Sequence, residues 1–340
     1  MAKPTIIVIV IGAGVAGLAC ALELAERGLA VEIVERGHVL GEGSCSWMAG
    51  GMLAPWCERA TTEPEVAQWG APSIAWWAER FPETVRKGSL VVAQPRDLPD
   101  LTRFAQRTER FDWLDADAIA ALEPDLSGRF RRALFFADEA HLDPRRALAA
   151  LAQRLHDRGV SIRFGVELAP PDARADIVVD CRGLAARDAL PDLRGVRGEM
   201  VVVRSPDVSL QRPVRMLHPR IPLYIVPRGN GLFMIGATMI ESEQRGPVSV
   251  RSAVELLNAA YALHPAFGEA EIVELGADLR PAFPDNLPAV RRSGHVLHAN
   301  GLFRHGFLLA PALAQRTADA ALLMLQPETN HADLPQRRRA

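Results

Sequence analysis

The stretch TIIVIVIGAGVAGLACALELAERGLAVEIVE, residues 5–35, constrains the fold more than any other part of the chain. A β-branched run precedes Gly12, Gly14 and Gly17, and an amphipathic helical pattern follows them. A second β-branched run then ends at Glu35. Gly12 permits a tight turn, Gly14 lets the backbone approach a pyrophosphate, and Gly17 lets the helix pack against the strand. The stretch therefore predicts a Rossmann-type dinucleotide-binding unit, with the helix N-terminus facing phosphates and Glu35 binding a ribose diol.

The uncharged run 4–22 has the length of a membrane segment but not its pattern. It contains the three motif glycines and divides into a strand and a helix, so we expect no transmembrane segment. The composition is ordinary for a globular protein, with 49% apolar residues and a net charge of −2. The basic run Arg337–Arg339 lies in a polar tail, 329–340, that we expect to be flexible. Nothing here predicts a nucleic-acid or membrane partner.

The cysteines bear on the cellular compartment. Cys20, Cys45, Cys57 and Cys181 form no CxxC pair, and no histidine cluster has zinc spacing. We therefore expect no disulfide, no metal site and a reducing, cytoplasmic location.

The glycine motif alone does not distinguish NAD from FAD, but its position in the chain favours FAD. It opens the chain, and the remaining residues are not a run of regular βα repeats. The segment ADIVVDCRGLAAR, 175–187, is similar to the strand by which FAD proteins return to the nucleotide domain. An elongated FAD, contacted by distant parts of the chain, suits this discontinuous layout.

Periodicity and capping residues predict the other elements. Residues 37–60, with five glycines, predict a loop. Strands are expected at 88–94, 200–203, 222–228, 231–238 and 294–301, and helices at 63–80, 97–110, 141–159 and 307–325. Strands 222–228 and 231–238 predict a hairpin across Gly229–Gly231, and Asp143 is the expected N-cap of helix 141–159.

These patterns predict an α/β (α+β) fold in which a Rossmann-like FAD-binding domain carries an inserted, largely antiparallel β-sheet substrate domain. We expect the FAD-binding domain to comprise residues 1–80, 135–198 and 290–328. The substrate domain would then comprise residues 81–134 and 199–289.

Several further stretches resemble the D-amino-acid oxidase family of flavoproteins, and within it most of all the glycine oxidases of thiamine biosynthesis. Besides the dinucleotide motif, they are SWMAGGMLAPWCE (46–58), FFADEAHLDPRRAL (135–148), PLYIVPR (222–228) with GATM (236–239), LRPAFPDNLPAV (279–290) and ANGLFRHGFLLAP (299–311). They occur in order over nearly the whole chain, which makes the agreement more specific than any one motif.

The resemblance implies a set of substrate-binding residues. Arg280, in LRP, matches the arginine that binds the substrate carboxylate, and Tyr224, in LYIVPR, matches the tyrosine that shares it. Arginine suits this task because its planar fork matches a carboxylate and it stays charged. The prolines around Arg280 predict a stiff loop that holds it. Arg304 matches a second arginine near the substrate, and Met239 matches a residue lining the pocket.

Other roles stay open for these residues. Arg280 could instead cap carbonyl groups in a structural role, Tyr224 could be a half-buried strand residue, and Arg304 could gate the pocket. Met239 and Met52 could belong to the core.

The resemblance also implies the FAD contacts. They come from the glycine motif, from the end of the second strand, from the loop after it, and from the ANGLFRHGF turn. The expected residues are Gly12, Gly14, Val15, Ala16, Gly17, Glu35, Arg36, Cys45, Ser46, Gly50, Gly51, Met52, Val166, Gly183, Leu302, Phe303, Arg304, His305, Gly306, Phe307 and Leu308. The related covalent flavoproteins use a cysteine in the C-terminal half, and this chain has none after Cys181, so FAD is expected to be noncovalent.

The implied activity is oxidation of glycine and small neutral amines to a 2-oxo acid, ammonia and hydrogen peroxide, with dioxygen as acceptor. Orientation of the substrate carries this chemistry, so we assign no residue as acid or base. A D-amino-acid or secondary-amine oxidase or dehydrogenase of the same fold remains an alternative. So does a flavin-binding scaffold or redox sensor without amine turnover. A homo-oligomer is left open.

Overall fold

A computed structural model describes residues 6–217 and 223–326. The predicted tail 329–340, and position 222 of the predicted strand 222–228, lie outside the described residues. In chain order the elements are β1 (Ile7–Ile11), α1 (Val15–Glu26), β2 (Ala30–Glu35), β3 (Met52–Leu53), α2 (Pro55–Glu58), α3 (Pro64–Gly70), α4 (Ser73–Arg80), β4 (Ser89–Ala93), α5 (Leu98–Ala105), β5 (Asp112–Asp115), α6 (Ala116–Leu122), β6 (Arg132–Phe136), β7 (Ala140–His141), α7 (Pro144–Asp157), β8 (Ser161–Phe164), β9 (Ile177–Asp180), β10 (Arg194–Arg204), β11 (Val214–Leu217), β12 (Leu223–Gly229), β13 (Leu232–Gly236), α8 (Val250–Leu263), β14 (Glu271–Ala282), β15 (Ala289–Ser293), β16 (Val296–Asn300) and α9 (Gly306–Met324).

The first sheet has six strands in the order β15-β16-β9-β1-β2-β8. Its neighbours are parallel except for the antiparallel pair β15–β16. β1 is buried between β2 and β9, which explains its unbroken β-branched sequence. Helices α1, α7 and α9 pack on one face and enclose the main apolar core. The predicted nucleotide unit β1–α1–β2 is therefore present.

The second sheet has eight strands in the order β14-β10-β13-β12-β11-β4-β6-β5. Its neighbours are antiparallel except for the parallel pair β11–β4. The predicted hairpin is confirmed as β12–β13, and Asn230 and Gly231 at its tip have φ of 52° and 70°. α8 covers part of one face with Leu256 and Leu263. An inserted, largely antiparallel region is thus confirmed.

The expected domain boundaries remain a prediction. The strands of the first sheet come from residues 7–35, 161–180 and 289–300, and those of the second from 89–136 and 194–282. Two expected boundaries, 134/135 and 198/199, fall inside β6 and β10.

The stiff loop expected around Arg280 is wrong for residues 275–282. They belong to β14, in which Arg280 pairs with Val196 of β10 and Pro281 pairs with Gly195. β14 is an edge strand of the sheet, where a proline without an N–H is tolerated. The loop prediction survives only for residues 283–288, between β14 and β15. Arg280 is therefore held by sheet register rather than by proline stiffness.

Two further sequence predictions need correction. The expected loop 37–60 contains a 3-10 turn at Cys45–Met48 and the elements β3 and α2. β3 forms because Met52 pairs with His141, a partner far away in sequence. The expected helix 63–80 is the two helices α3 and α4. Helix α7 is as predicted, with Asp143 capping Arg145 N and Arg146 N. Within 6–217 and 223–326, no helix is both long and apolar enough to cross a bilayer.

Candidate active site

One cavity is lined by residues of both sheets and of the segments that connect them. The first sheet contributes the β1–α1 turn and the end of β2, and the second contributes β10, β12 and β14. The remaining lining comes from segments 42–50, 166–169, 181–185 and 299–307 and from Arg36, Ala237 and Arg245. The carboxyl ends of β1, β2 and β9 thus meet one face of the second sheet across this cavity.

The glycines at the β1–α1 turn leave no space for side chains. A Cβ on Gly12, which has φ of 106°, would lie 2.7 Å from Cys181 O. A Cβ on Gly17 would lie 1.8 Å from Gly12 O, so this glycine sets the distance between helix and strand. Gly14 is the N-cap of α1, and Ser46 Oγ accepts a hydrogen bond from Val15 N at 3.1 Å. This cradle fits the pyrophosphate of a dinucleotide.

Glu35 stands at the end of β2 in the cavity wall. Its Oε2 accepts a hydrogen bond from Ala13 N at 2.6 Å, and its Oε1 accepts one from Gly37 N at 2.8 Å. The two bonds fix the carboxylate beside the glycine turn. Each oxygen keeps a further lone pair, so the residue also fits a ribose diol.

Arg280 and Tyr224 lie on the same face of the second sheet. Gly198 pairs with Asp278, and Met200 pairs with both Gly276 and Gly236. Gly236 in turn pairs with Tyr224. Because directly paired residues and residues two apart on one strand share a face, Arg280 and Tyr224 both face the cavity that they line.

A glycine makes room for the Arg280 guanidinium. A Cβ on Gly198 would lie 2.1 Å from Arg280 Nη2 and 2.2 Å from its Cζ. Arg280 Nη1 donates a hydrogen bond to Thr238 O at 3.0 Å. Among the described residues, no carboxylate forms a salt bridge with Arg280. Burial lowers the pKa of this guanidinium from its ordinary value. A half-buried cation with donors to spare is suited to binding an anion.

Tyr224 is packed tightly at the same end of the cavity. A Cβ on Gly50 would lie 2.8 Å from its ring, and one on Gly236 would lie 3.1 Å from it. Burial raises the pKa of the Tyr224 hydroxyl, although Arg280 and Arg304 act in the opposite direction. The hydroxyl therefore stays protonated at neutral pH and can donate a hydrogen bond.

Arg304 lies in the cavity wall but already has an anionic partner. Its Nη2 donates to Glu58 Oε2 at 2.5 Å and to Thr61 Oγ1 at 2.6 Å. Glu58 Oε1 also accepts from Arg215 Nη1 at 3.1 Å. Burial alone would raise the pKa of Glu58, but Arg304 and Arg215 outweigh it and hold this pKa at about 2. Glu58 is therefore ionised and shared between two guanidinium groups.

The structure brings most of the predicted site residues to this cavity. Those in its wall are Gly12, Gly14, Val15, Ala16, Glu35, Arg36, Cys45, Ser46, Gly50, Val166, Gly183, Tyr224, Arg280, Leu302, Phe303, Arg304, Gly306 and Phe307. The predicted residues outside the wall are Gly17, Gly51, Met52, Met239, His305 and Leu308. Met239 is 51% exposed, and Gly51 packs instead against Leu142 O.

Sequence reasoning missed several wall residues and the groups behind them. Gly198 and Met200 lie on β10, and Asp278 lies two residues before Arg280 on β14. Alternation along β14 could have placed Asp278 on the face of Arg280. The contacts of Glu58 and Arg215 join distant segments and have no local signal.

Comparison with known proteins agrees with this geometry. The family model described as FAD dependent oxidoreductase (DAO) matches residues 8–320. A Rhizobium etli protein named as thiamine biosynthesis oxidoreductase ThiO is 57% identical over 92% of this chain and 95% of its own length. Glycine oxidase of Bacillus licheniformis is 28% identical over 92% of each chain. The crystal structure of glycine oxidase from Geobacillus kaustophilus superposes with a TM-score of 0.78 at 26% identity, covering 93% of this chain and 94% of that one.

The match of the family model spans nearly the whole chain, and it includes the glycine turn, Tyr224 and Arg280. The residues around the turn fit a dinucleotide, and those on the second sheet fit a carboxylate. The chain therefore belongs to the family of FAD-dependent oxidoreductases.

Proposed function

We propose that this FAD-dependent oxidoreductase oxidises glycine and other small neutral amines that carry one carboxylate. The observation that carries the proposal is the half-buried Arg280 guanidinium, which lies in the cavity wall on the same face as Tyr224. The names of the glycine oxidase and ThiO relatives support the same substrate class.

The chain's own residues bind and orient the substrate. Arg280 takes the carboxylate with its remaining donors, and the Tyr224 hydroxyl donates a hydrogen bond to the same group. The glycine turn and Glu35 would hold FAD, which would supply the hydride acceptor for the substrate Cα–H. Water then hydrolyses the imino acid to a 2-oxo acid and the free amine, which is ammonia for glycine and methylamine for sarcosine, and dioxygen is reduced to hydrogen peroxide. Orientation of a bound reactant lowers a barrier by up to about 7–11 kcal/mol, so this site needs no dedicated acid or base.

The close packing around Tyr224 favours small substrates. Gly50 and Gly236 both bring backbone against its ring. A second charge on the substrate would be buried without a partner, which is costly. We therefore expect acidic and strongly basic amino acids to be poor substrates.

The proposal places the enzyme in thiamine biosynthesis, following the name of the Rhizobium etli relative. In this proposal FAD is bound noncovalently, dioxygen is the electron acceptor and the enzyme is located in the cytoplasm.

The test is an amine panel with peroxide detection, run on the wild type and on Arg280→Ala. Glycine, sarcosine and D-alanine should be oxidised, and D-glutamate and D-lysine should be slow. Arg280→Ala should keep FAD and the melting temperature but lose on the order of 10²–10³-fold or more in kcat/KM, since the lost contact is worth roughly 3–5 kcal/mol. Arg280→Lys should recover part of the loss, because an ammonium lacks the fork.

Two results would contradict the proposal. One is faster turnover of D-glutamate or D-lysine than of glycine or D-alanine. The other is an Arg280→Ala protein that melts early and loses FAD, while its folded fraction oxidises amino acids normally. That second result would make Arg280 a structural residue.

A further inference from the structure

Arg280 and Arg304 both line the cavity, but their surroundings differ. Arg280 Nη1 donates to a neutral carbonyl, Thr238 O, at 3.0 Å. Arg304 Nη2 donates to the Glu58 carboxylate at 2.5 Å and to the Thr61 hydroxyl at 2.6 Å. One guanidinium is therefore open to an incoming anion, whereas the other already holds one.

Glu58 holds Arg304 from behind the cavity wall, to which Glu58 itself does not belong. On its other side Glu58 binds Arg215, which is 4% exposed. Burial raises the pKa of the neighbouring Glu139 to about 8, so Glu139 is largely protonated at neutral pH. Glu58 thus supplies the negative charge in this cluster, and both arginines compete for it.

We propose that Glu58 makes the site selective for substrates with one carboxylate rather than two. It does so because it keeps Arg304 paired and leaves Arg280 as the carboxylate-binding guanidinium. This rests on the proposed function, in which Arg280 binds the substrate carboxylate. Removal of the Glu58 charge leaves Arg304 Nη2 with the neutral Thr61 hydroxyl and, among the described residues, without an anionic partner, and it raises the positive potential at the cavity wall. A molecule with two carboxylates then gains a second cationic partner, whereas a molecule with one carboxylate gains little.

The experiment measures the binding of two unreactive probes to the purified flavoprotein. The readouts are the change in flavin absorbance and the change in melting temperature. Glycolate carries one carboxylate and malonate carries two. We expect Glu58→Gln to lower the ratio of the malonate Kd to the glycolate Kd at least fivefold. Glu63→Gln removes an exposed carboxylate nearby and is the matched control, with a ratio within twofold of the wild type. In the double variant Glu58→Gln/Arg304→Gln, the ratio of the malonate Kd to the glycolate Kd should return to the wild-type value.

An unchanged ratio of the malonate Kd to the glycolate Kd in Glu58→Gln would overturn the proposal. A lowered ratio that persists in the double variant would overturn it as well. Arg215 loses its anionic partner in Glu58→Gln and keeps only weak contacts such as that with Cys57 Sγ, so that variant could fail to fold. Arg304→Gln with Glu58 intact then decides. A paired Arg304 does not bind the probe, so the glycolate Kd should stay within threefold of the wild type. A loss as large as that of Arg280→Gln would overturn the proposal.

These measurements separate the inference from the proposed function. A wild type that yields no peroxide with any amine would sink the proposed function, yet the carboxylate titrations could still be run. Conversely, a wild type that oxidises glycine and a Glu58→Gln variant with an unchanged ratio would refute only the role of Glu58.

Discussion

Gly198 occupies the place where any side chain would displace the Arg280 guanidinium. A Cβ there would lie 2.1 Å from Arg280 Nη2, and the contacted atoms are the end of a flexible side chain. Gly198→Ala should therefore be tolerated by the fold but should push the guanidinium out of position. We expect a loss in kcat/KM approaching that of Arg280→Ala, on the order of 10²-fold, with little change in melting temperature.

Gly195→Ala is the matched control for that variant. Gly195 lies on the same strand, and the three atoms nearest to its Cβ would belong to Leu184, Leu279 and Glu243, at 3.0, 3.5 and 3.6 Å, and not to Arg280. Gly195→Ala should retain kcat/KM within a few fold. If Gly198→Ala kept full activity with amino acids, Arg280 would not need the position that the structure gives it.

The role of a residue was predictable from sequence where that residue belongs to a local sequence motif. Arg280 and Tyr224 were proposed from their motifs, and both line the cavity. Gly198 and Glu58 were assigned no role, because each acts through a residue far away in the chain. Spacing along the sequence does not predict such contacts: the pairing of β10 with β14 brings Gly198 to Arg280, and the packing of α2 brings Glu58 to Arg304.

At the scale of elements, β2 delivers Glu35 to the glycine turn. Its carboxylate accepts hydrogen bonds from Ala13 N and Gly37 N beside the cradle for the pyrophosphate. Glu35→Lys places an ammonium against these N–H groups and should reduce FAD retention at least tenfold. Glu35→Gln keeps one acceptor and should reduce it less. Flavin absorbance of the protein after gel filtration measures the retained FAD.

Glu32 offers a control on the same strand, since its carboxylate pairs with Arg163 rather than facing the cavity. Glu32→Gln should retain FAD like the wild type. Equal retention by Glu35→Lys and Glu32→Gln would show that Glu35 does not hold the ribose.

The element β14 shows why the local environment of Arg280 was mispredicted. Prolines at 281, 284 and 288 favour a loop, and sequence alone does not reveal that the partner of this segment is β10. Pairing with β10 keeps residues 271–282 extended, and Pro281 is accommodated because β14 is at the sheet edge. By contrast, β1 and α1 were predictable because their pattern is contiguous and strongly periodic.

At the scale of the whole molecule, buried titratable groups near the site shape the dependence of stability on pH. The pKa of Glu58 is held at about 2 by Arg304 and Arg215, against the effect of burial. Burial lowers the pKa of His305 to about 3 and that of His141 to about 4. These groups bind fewer protons in the folded state than in the unfolded state, so the free energy of unfolding falls as the pH drops below about 6.5.

Glu139 acts in the opposite direction and limits stability on the alkaline side. Its carboxyl accepts hydrogen bonds from Trp56 N and Cys57 N and contacts Ser89 Oγ, and so joins α2 to β4. Burial raises its pKa from 4.5 to about 8. The folded state therefore keeps a proton that the unfolded state loses, and the stabilisation present below about pH 4.5 is lost as the pH rises to about 8.

Replacing Glu139 by glutamine should remove this loss of folded-state stability at alkaline pH. Glutamine has the same shape, its oxygen can accept from the Trp56 and Cys57 N–H groups, and its amide can donate to Ser89. With excess FAD, the wild-type melting temperature should fall by a few degrees between about pH 6 and pH 9. Glu139→Gln should show a flatter profile and melt higher than the wild type at about pH 9, while Glu109→Gln, at an exposed position, should follow the wild type. Parallel profiles for all three proteins would mean that Glu139 is ionised in the folded protein at neutral pH, and the charge balance around Arg215 would then rest on two carboxylates instead of one.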